Sequence, residues 1–198
     1  MGEIRLQDGN GQAAGNIDYV VVSYDDRGRI LDFGSLEVQA VYISGNIRNP
    51  FEEYLSHMHA GFEWKKGYNY PKPDYLSSSR KRLLPQMLYK GGIFKLWSKK
   101  QTIAIQKNFF DTLPELPQVS QDKADIAWVI YDLVFNAHSL TYNLTLVDTV
   151  YTEFAPALLR ITTPSIGRIE DFLGVLQGKL NAKLGGEAPD TVLVTDLF

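Results

Sequence analysis

"NIDYVVVSYDDRGRILDFGSLEVQAVYISGN", residues 16–46, decides the fold. Residues 17–24, IDYVVVSY, are β-branched and aromatic and read as a strand. DDRGR at 25–29 reads as a turn, with Gly28 suited to positive φ. ILDFGSLEVQAVYI, 30–43, continues as a second strand with a bend or bulge expected at Gly34, so 17–43 form a hairpin that SGNIRNP ends. Inside that second strand Glu37 and Gln39 stand two positions apart in an otherwise apolar run. Side chains at i and i+2 share one face of a strand, so a carboxylate and a carboxamide point the same way. Polar groups in such a place need partners or a ligand.

Outward from the hairpin, EIRLQ at 3–7 can supply one further strand. FEEYLSHMHAGFEW, 51–64, has helical spacing at Phe51, Tyr54, Leu55 and Met58, and KKGYNYPKPDY follows as a loop. SSSRKRLLPQMLYKGG, 77–92, opens with capping serines and closes at a double glycine, which marks a helix. Pro85 inside it predicts either a kink or a start later than Ser79. TIAIQ, 102–106, is a short apolar strand. A strand, a crossover helix and another strand predict that it lies parallel to 36–43. Residues 125–154 read as a second, long-armed hairpin whose poor alternation predicts cover on both faces. An amphipathic helix follows at 163–186, apolar at 166, 169, 172, 173, 176 and 180. The whole is α/β: a mixed central sheet with flanking helices and an added hairpin. A single domain is expected over 1–198, its core at about 15–115, with the second hairpin and C-terminal helix of 116–198 packed on it.

Composition narrows the function classes. The 198 residues, 44% hydrophobic and 22% charged, can bury a real core. No cysteine is present, which excludes disulfides and cysteine-ligated zinc or iron–sulfur sites. MGEIRLQDGNGQ has neither a basic n-region nor an apolar h-region, and no apolar run reaches the roughly 18–20 residues of a membrane helix. A cytoplasmic protein without a membrane partner is the expectation. The net charge of −3 hides a segregation: residues 65–107 hold eleven of the 20 Lys and Arg and one acid, Asp74. That segment is +10 and the remainder −13. A solvated face mixes signs, so the segregation predicts a polyanion-binding surface, nucleic acid first.

Asp18 opens the first strand, and a paired register brings it towards Glu37 across the hairpin. Two carboxylates at a sheet end suit a hard divalent cation such as Mg²⁺. Acidic residues near strand ends are also common, and Asp-x18-Glu-x-Gln alone is a weak pattern. With the basic helix and the short parallel strand added, the chain resembles the core of the PD-(D/E)XK nucleases. The quoted hairpin together with SSSRKRLLPQMLYKGG and WSKKQTIAIQKNFF resembles the catalytic half of NotI-like restriction endonucleases, which place Gln where the motif usually has Lys. Ile17 stands in place of that superfamily's Pro. The iron-binding domain carried upstream in that family, held by cysteines, is not contained in this chain.

The resemblance implies a Mg²⁺-dependent DNA endonuclease, a homodimer if it cuts both strands of a duplex. It also implies that Asp18 and Glu37, with the backbone carbonyl of Val38, ligate the metal. Gln39 has no proton to lose, so it orients the attacking water and is not a general base. Arg80, Lys81 and Arg82 at the helix start are expected to reach phosphates, with Lys90, Lys95, Lys99 and Lys100 extending the track; a solvated helix face is the alternative for each. Gln86 faces the catalytic strand or is a plain surface glutamine. Tyr68, Tyr70 and Tyr75 either stack on bases or pack their own loop. His57 and His59, at i and i+2 of a helix, face apart and do not share a metal, with His138 far along the chain. Trp64, Trp97 and Trp128 read as core or interface. Two other functions stay open: a nucleic-acid-binding domain that keeps the fold without the chemistry, and an α/β domain whose basic stretch meets an acidic partner.

Overall fold

A computed structural model describes residues 2–57 and 71–185 in two compact units, Met1–Thr162 and Thr163–Phe198. The first unit is built on six strands: β1 (Gly2–Gln7), β2 (Ala13–Tyr24), β3 (Ile30–Gln39), β6 (Gln101–Gln106), β7 (Ile126–Asn136) and β8 (Thr141–Thr152), side by side in that order. β1, β2 and β3 run antiparallel, β6 pairs parallel to β3, β7 parallel to β6, and β8 antiparallel to β7. This is the mixed α/β sheet that the hairpin and the short strand predicted. Short strands β4 (Tyr42–Ser44) and β5 (Lys72–Asp74) pair separately.

The β2–β3 turn forms for local reasons. Asp25 Oδ1 accepts the N–H groups of Arg27 and Arg29 at 3.0 and 2.9 Å, and Gly28 takes φ +77°. Gly34 does not bulge: Val21 pairs with Gly34 in unbroken register, and the shift falls between Ser23 and Tyr24. Its role is clearance, because a Cβ there would lie 2.9 Å from the Lys100 carbonyl oxygen.

Helices α1 (Arg48–Ser56), α2 (75–96), α3 (Lys107–Phe110) and α4 (Phe154–Thr162) complete the unit. The sequence did not indicate α4. Its first N–H, on Phe154, is taken by Asp125 Oδ2 at 2.9 Å. α2 differs from expectation at both ends. It starts at Tyr75, where Asp74 accepts the Ser77 N–H at 2.9 Å, and it passes through Gly91 and Gly92 to Leu96. Two π turns, Ser79–Leu83 and Met87–Gly91, flank Leu84–Gln86. The widened ladder lets Pro85, which lacks an N–H, stay inside the helix. Gly91 is a packing residue here, not a stop: a Cβ would meet the Phe154 ring at 2.8 Å and Gln101 Oε1 at 2.9 Å.

α2 lies on the sheet through a stripe spaced by fours and threes: Leu83, Met87, Lys90 and Phe94, all buried. Leu83 and Met87 pack with Ile103, Ile105 and Trp128, and Phe94 packs with Leu6 and Ile17. The helix runs against β3 and β6, with its first turn near Tyr42 and its last near Phe33. The β7–β8 hairpin is covered only at its base. Ile126, Trp128 and Ile130 are buried, whereas Leu133, Phe135, Tyr142 and Leu144 are exposed, because β6 ends opposite Tyr131 and the arms continue alone. In the second unit, helix α5 (Ile169–Leu184) forms within the 163–186 stretch. Among the described residues no helix is long and apolar enough to cross a membrane.

Candidate active site

β2 and β3 part company at one end, and that divergence makes the site. Their last ladder pair there is Tyr19 with Leu36, and one step beyond stand Asp18 and Glu37. Where a backbone carbonyl would otherwise continue the ladder, Asp18 Oδ2 accepts the Val38 N–H at 2.8 Å. This bond fixes the Asp18 carboxylate at the strand edge. Val38 itself turns its side chain away, half-exposed, as alternation requires. Glu37 and Gln39 sit level with Ile103 and Ile105 of β6 and share their buried face beneath α2.

A buried carboxylate needs compensation. Lys90 supplies it: its Nζ donates to Glu37 Oε2 at 2.6 Å and to the Asn16 carbonyl at 2.7 Å, with both side chains 5% or less exposed. Burial nonetheless pushes the Glu37 carboxyl above the usual range; the Lys90 ammonium pulls it down, and the Asp18 charge adds to the rise. Lys90 was expected on a phosphate track, and the structure corrects this. The signal was legible, since Lys90 is the charged member of the apolar stripe 83–87–90–94.

Two buried oxygens in this group have no protein partner: Glu37 Oε1 and Gln39 Oε1. The other end of the Gln39 amide, Nε2, donates to the Ala40 carbonyl at 3.1 Å. Orphaned acceptors at nearly full burial are rare in folded proteins and mark places for a water or an ion. An acidic oxygen from each strand plus a neutral amide oxygen is a donor set that a hard divalent cation accepts, and its remaining positions go to water and backbone carbonyls. No group of three or more His, Cys, Asp or Glu converges among the described residues, so such an ion would have only two carboxylates here.

The basic residues are not gathered as one track. Arg80, Lys81 and Arg82 are exposed on the first turns of α2, with the Arg82 guanidinium 4.4 Å above the Tyr42 ring. Tyr42 lies three residues beyond Gln39, so this triplet occupies the sheet end that carries Glu37 and Gln39. Lys99 and Lys100 lie at the opposite end. Lys99 pairs with Asp32 at 2.5 Å and Lys100 donates to the Gln121 carbonyl at 2.6 Å. Asp32 is five residues, or about 17 Å of strand, from Glu37. Lys95 pairs with Asp125 and Lys107 with Asp111. Charges separated in sequence are thus partly remixed in space: Lys90, Lys95, Lys99 and Lys107 each meet an acid from outside the segment.

The remaining candidates divide. Tyr75 stacks on Phe109 with ring centroids 5.7 Å apart, which is packing. Trp128 is fully buried and donates from Nε1 to Thr152 Oγ1 at 3.0 Å, and Trp97 sets its edge against Phe33. Gln86 is half-buried on α2. His57 Nδ1 lies 3.0 Å from Ser56 Oγ at the end of α1, and His138 is exposed at the tip of the β7–β8 hairpin. His59, Trp64, Tyr68 and Tyr70 lie outside the described residues.

Comparison with curated proteins returns no match. A family model described as restriction endonuclease NotI does match, over residues 1–144, a span that holds the whole β1–β2–β3–β6–β7 sheet and α2. That span is well over half of the 198 residues, and it includes Asp18, Glu37, Gln39 and Lys90. The chain therefore belongs to the NotI restriction endonuclease family.

Proposed function

We propose that this restriction-type DNA endonuclease works as a PD-(D/E)XK enzyme in its D…ExQ form, with Asp18, Glu37 and the Val38 carbonyl holding Mg²⁺. The observation that carries the reading is the pair of buried, partnerless oxygens, Glu37 Oε1 and Gln39 Oε1, beside a carboxylate pinned at the strand edge. A divalent ion there supplies positive charge against the building charge on the scissile phosphate and acidifies a water. Asp18 is held ready by the Val38 N–H, so little reorganisation is needed when a cation arrives. Gln39 accepts a hydrogen bond from the attacking water and aims it; having no acidic proton, it does not take one away. Arg80, Lys81 and Arg82, at the same sheet end, bind the DNA backbone. Two copies act together to cut both strands.

The test is cleavage of plasmid and single-stranded DNA with and without Mg²⁺. Asp18→Ala and Glu37→Ala each abolish cleavage and leave DNA binding largely intact. Cleavage that persists in either variant, or that ignores chelation, overturns the assignment. A second reading has its own support: Lys90 already neutralises Glu37, and only two carboxylates meet. A DNA-binding domain that keeps this fold without chemistry predicts binding with no cleavage under any metal.

A further inference from the structure

We infer that Lys90 restricts this site to a single divalent ion, by filling with its own ammonium the position a second ion would take. The inference rests on the metal-site reading above and goes beyond it. A hard cation seeks carboxylate and backbone carbonyl oxygens. Lys90 Nζ sits between one of each, Glu37 Oε2 at 2.6 Å and the Asn16 carbonyl at 2.7 Å. Paired-ion sites commonly hold their metals about 3.5–4 Å apart as a clamp on the reacting phosphate, and a carboxylate between two ions offers an oxygen to each. Here one oxygen of Glu37 is committed to Lys90, and the other, Oε1, has no partner. The carboxylate can serve one ion through Oε1, and none on the side of the Asn16 carbonyl, where Lys90 stands.

The fold holds Lys90 to this place. It lies on the buried stripe between Met87 and Phe94, and its stem passes the Gly15 backbone, where a Cβ would sit 3.8 Å from Lys90 Cδ. An ammonium buried to this degree does not reach a phosphate on the surface. It also repels a second divalent ion that approaches the same carboxylate. Lys90 is therefore a positioning residue: it turns Glu37 so that Oε1 faces the cation, and it keeps the count at one.

The experiment counts Mn²⁺ on the full chain by equilibrium dialysis and records its electron paramagnetic resonance spectrum. The wild type is expected to bind one equivalent with an uncoupled spectrum, and Glu37→Ala loses it. Lys90→Met, which keeps the stem and removes the charge, gains a second equivalent with a spin-coupled spectrum. Lys90→Gln, which removes the charge and whose amide can turn its oxygen to a cation, is the alternative variant if the first does not fold, with the same expected gain. Two coupled ions in the wild type overturn the inference but not the metal site. A count that stays at one in the folded Lys90 variant also overturns it. No bound ion in the wild type, or one that survives Glu37→Ala, overturns the metal site and the inference together.

Discussion

Removing the charge from Lys90 is the sharpest probe of how this site is built. In Lys90→Met the stem is nearly conserved, so the packing beside Met87 and Phe94 changes little. The loss is electrostatic: Glu37, only 2% exposed, keeps its burial and loses its cation. Breaking a buried pair in this way costs about 3–5 kcal/mol, because the surviving charge is stranded. Glu37→Gln leaves Lys90 the Asn16 carbonyl and an amide oxygen, and costs about 1–3 kcal/mol. The double variant strands no charge and is expected within about 2 kcal/mol of wild type, since neutral replacements of buried pairs are often tolerated. Urea unfolding of all four proteins in chelator should therefore give a coupling energy of about 3 kcal/mol. pH sharpens the measurement. Burial raises the folded-state pKa of Glu37 above its ordinary 4.5, so the native chain binds the extra proton. That contribution is fully present below the unfolded pKa and is lost as pH rises through the folded value. Without Lys90 the two largest lowering influences disappear, and burial, the leading cause, raises the value further. Lys90→Met is then closest to wild type near pH 4.5 and falls away as pH rises. A cost below about 1 kcal/mol at pH 8, or additive single effects, would refute the claim that the pair is buried and coupled.

The binding of DNA by the α2 triplet is tested by salt. Each cation that no longer neutralises a phosphate reduces the slope of log K against log salt by about 0.9, so Arg80→Ala, Lys81→Ala and Arg82→Ala each flatten it by that amount in a binding titration. Lys99→Ala and Lys100→Ala, tied down at the far sheet end, leave the slope unchanged. Gly34→Ala drives a Cβ to 2.9 Å from a backbone oxygen that cannot rotate away, and should lower stability by about 1–3 kcal/mol in thermal unfolding. Gly9→Ala, with nothing within 4 Å, is the neutral control.

Much of the fold was legible because strand and turn chemistry is local. The run 17–24, the DDRGR turn and the run from Ile30 made a hairpin on their own, although the strand expected to reach residue 43 stops at Gln39 and Tyr42–Ser44 pair with β5 instead; one crossover helix dictated the parallel strand at 101–106. Helix ends were misjudged where distant groups decided them. Gly91 looks like a stop in sequence, but the Phe154 ring and Gln101 lie where its side chain would be. The hairpin of β7 and β8 looked covered on both faces, yet its cover depends on how far β6 extends beside it.

Sequence alone put Glu37 and Gln39 on one face, because the two-residue period of a strand is a property of the backbone. It also set Asp18 on the neighbouring strand, though not at its start, because β2 already begins at Ala13 to pair with β1. It did not say which charges would meet. Lys90 reaches Glu37 across 53 positions and Lys99 reaches Asp32 across 67, and such pairings follow from how helix and sheet stack. Net charge along a segment adds residues by their order in the chain, whereas the electrostatic field adds them by distance in space, and only the tertiary structure converts one into the other.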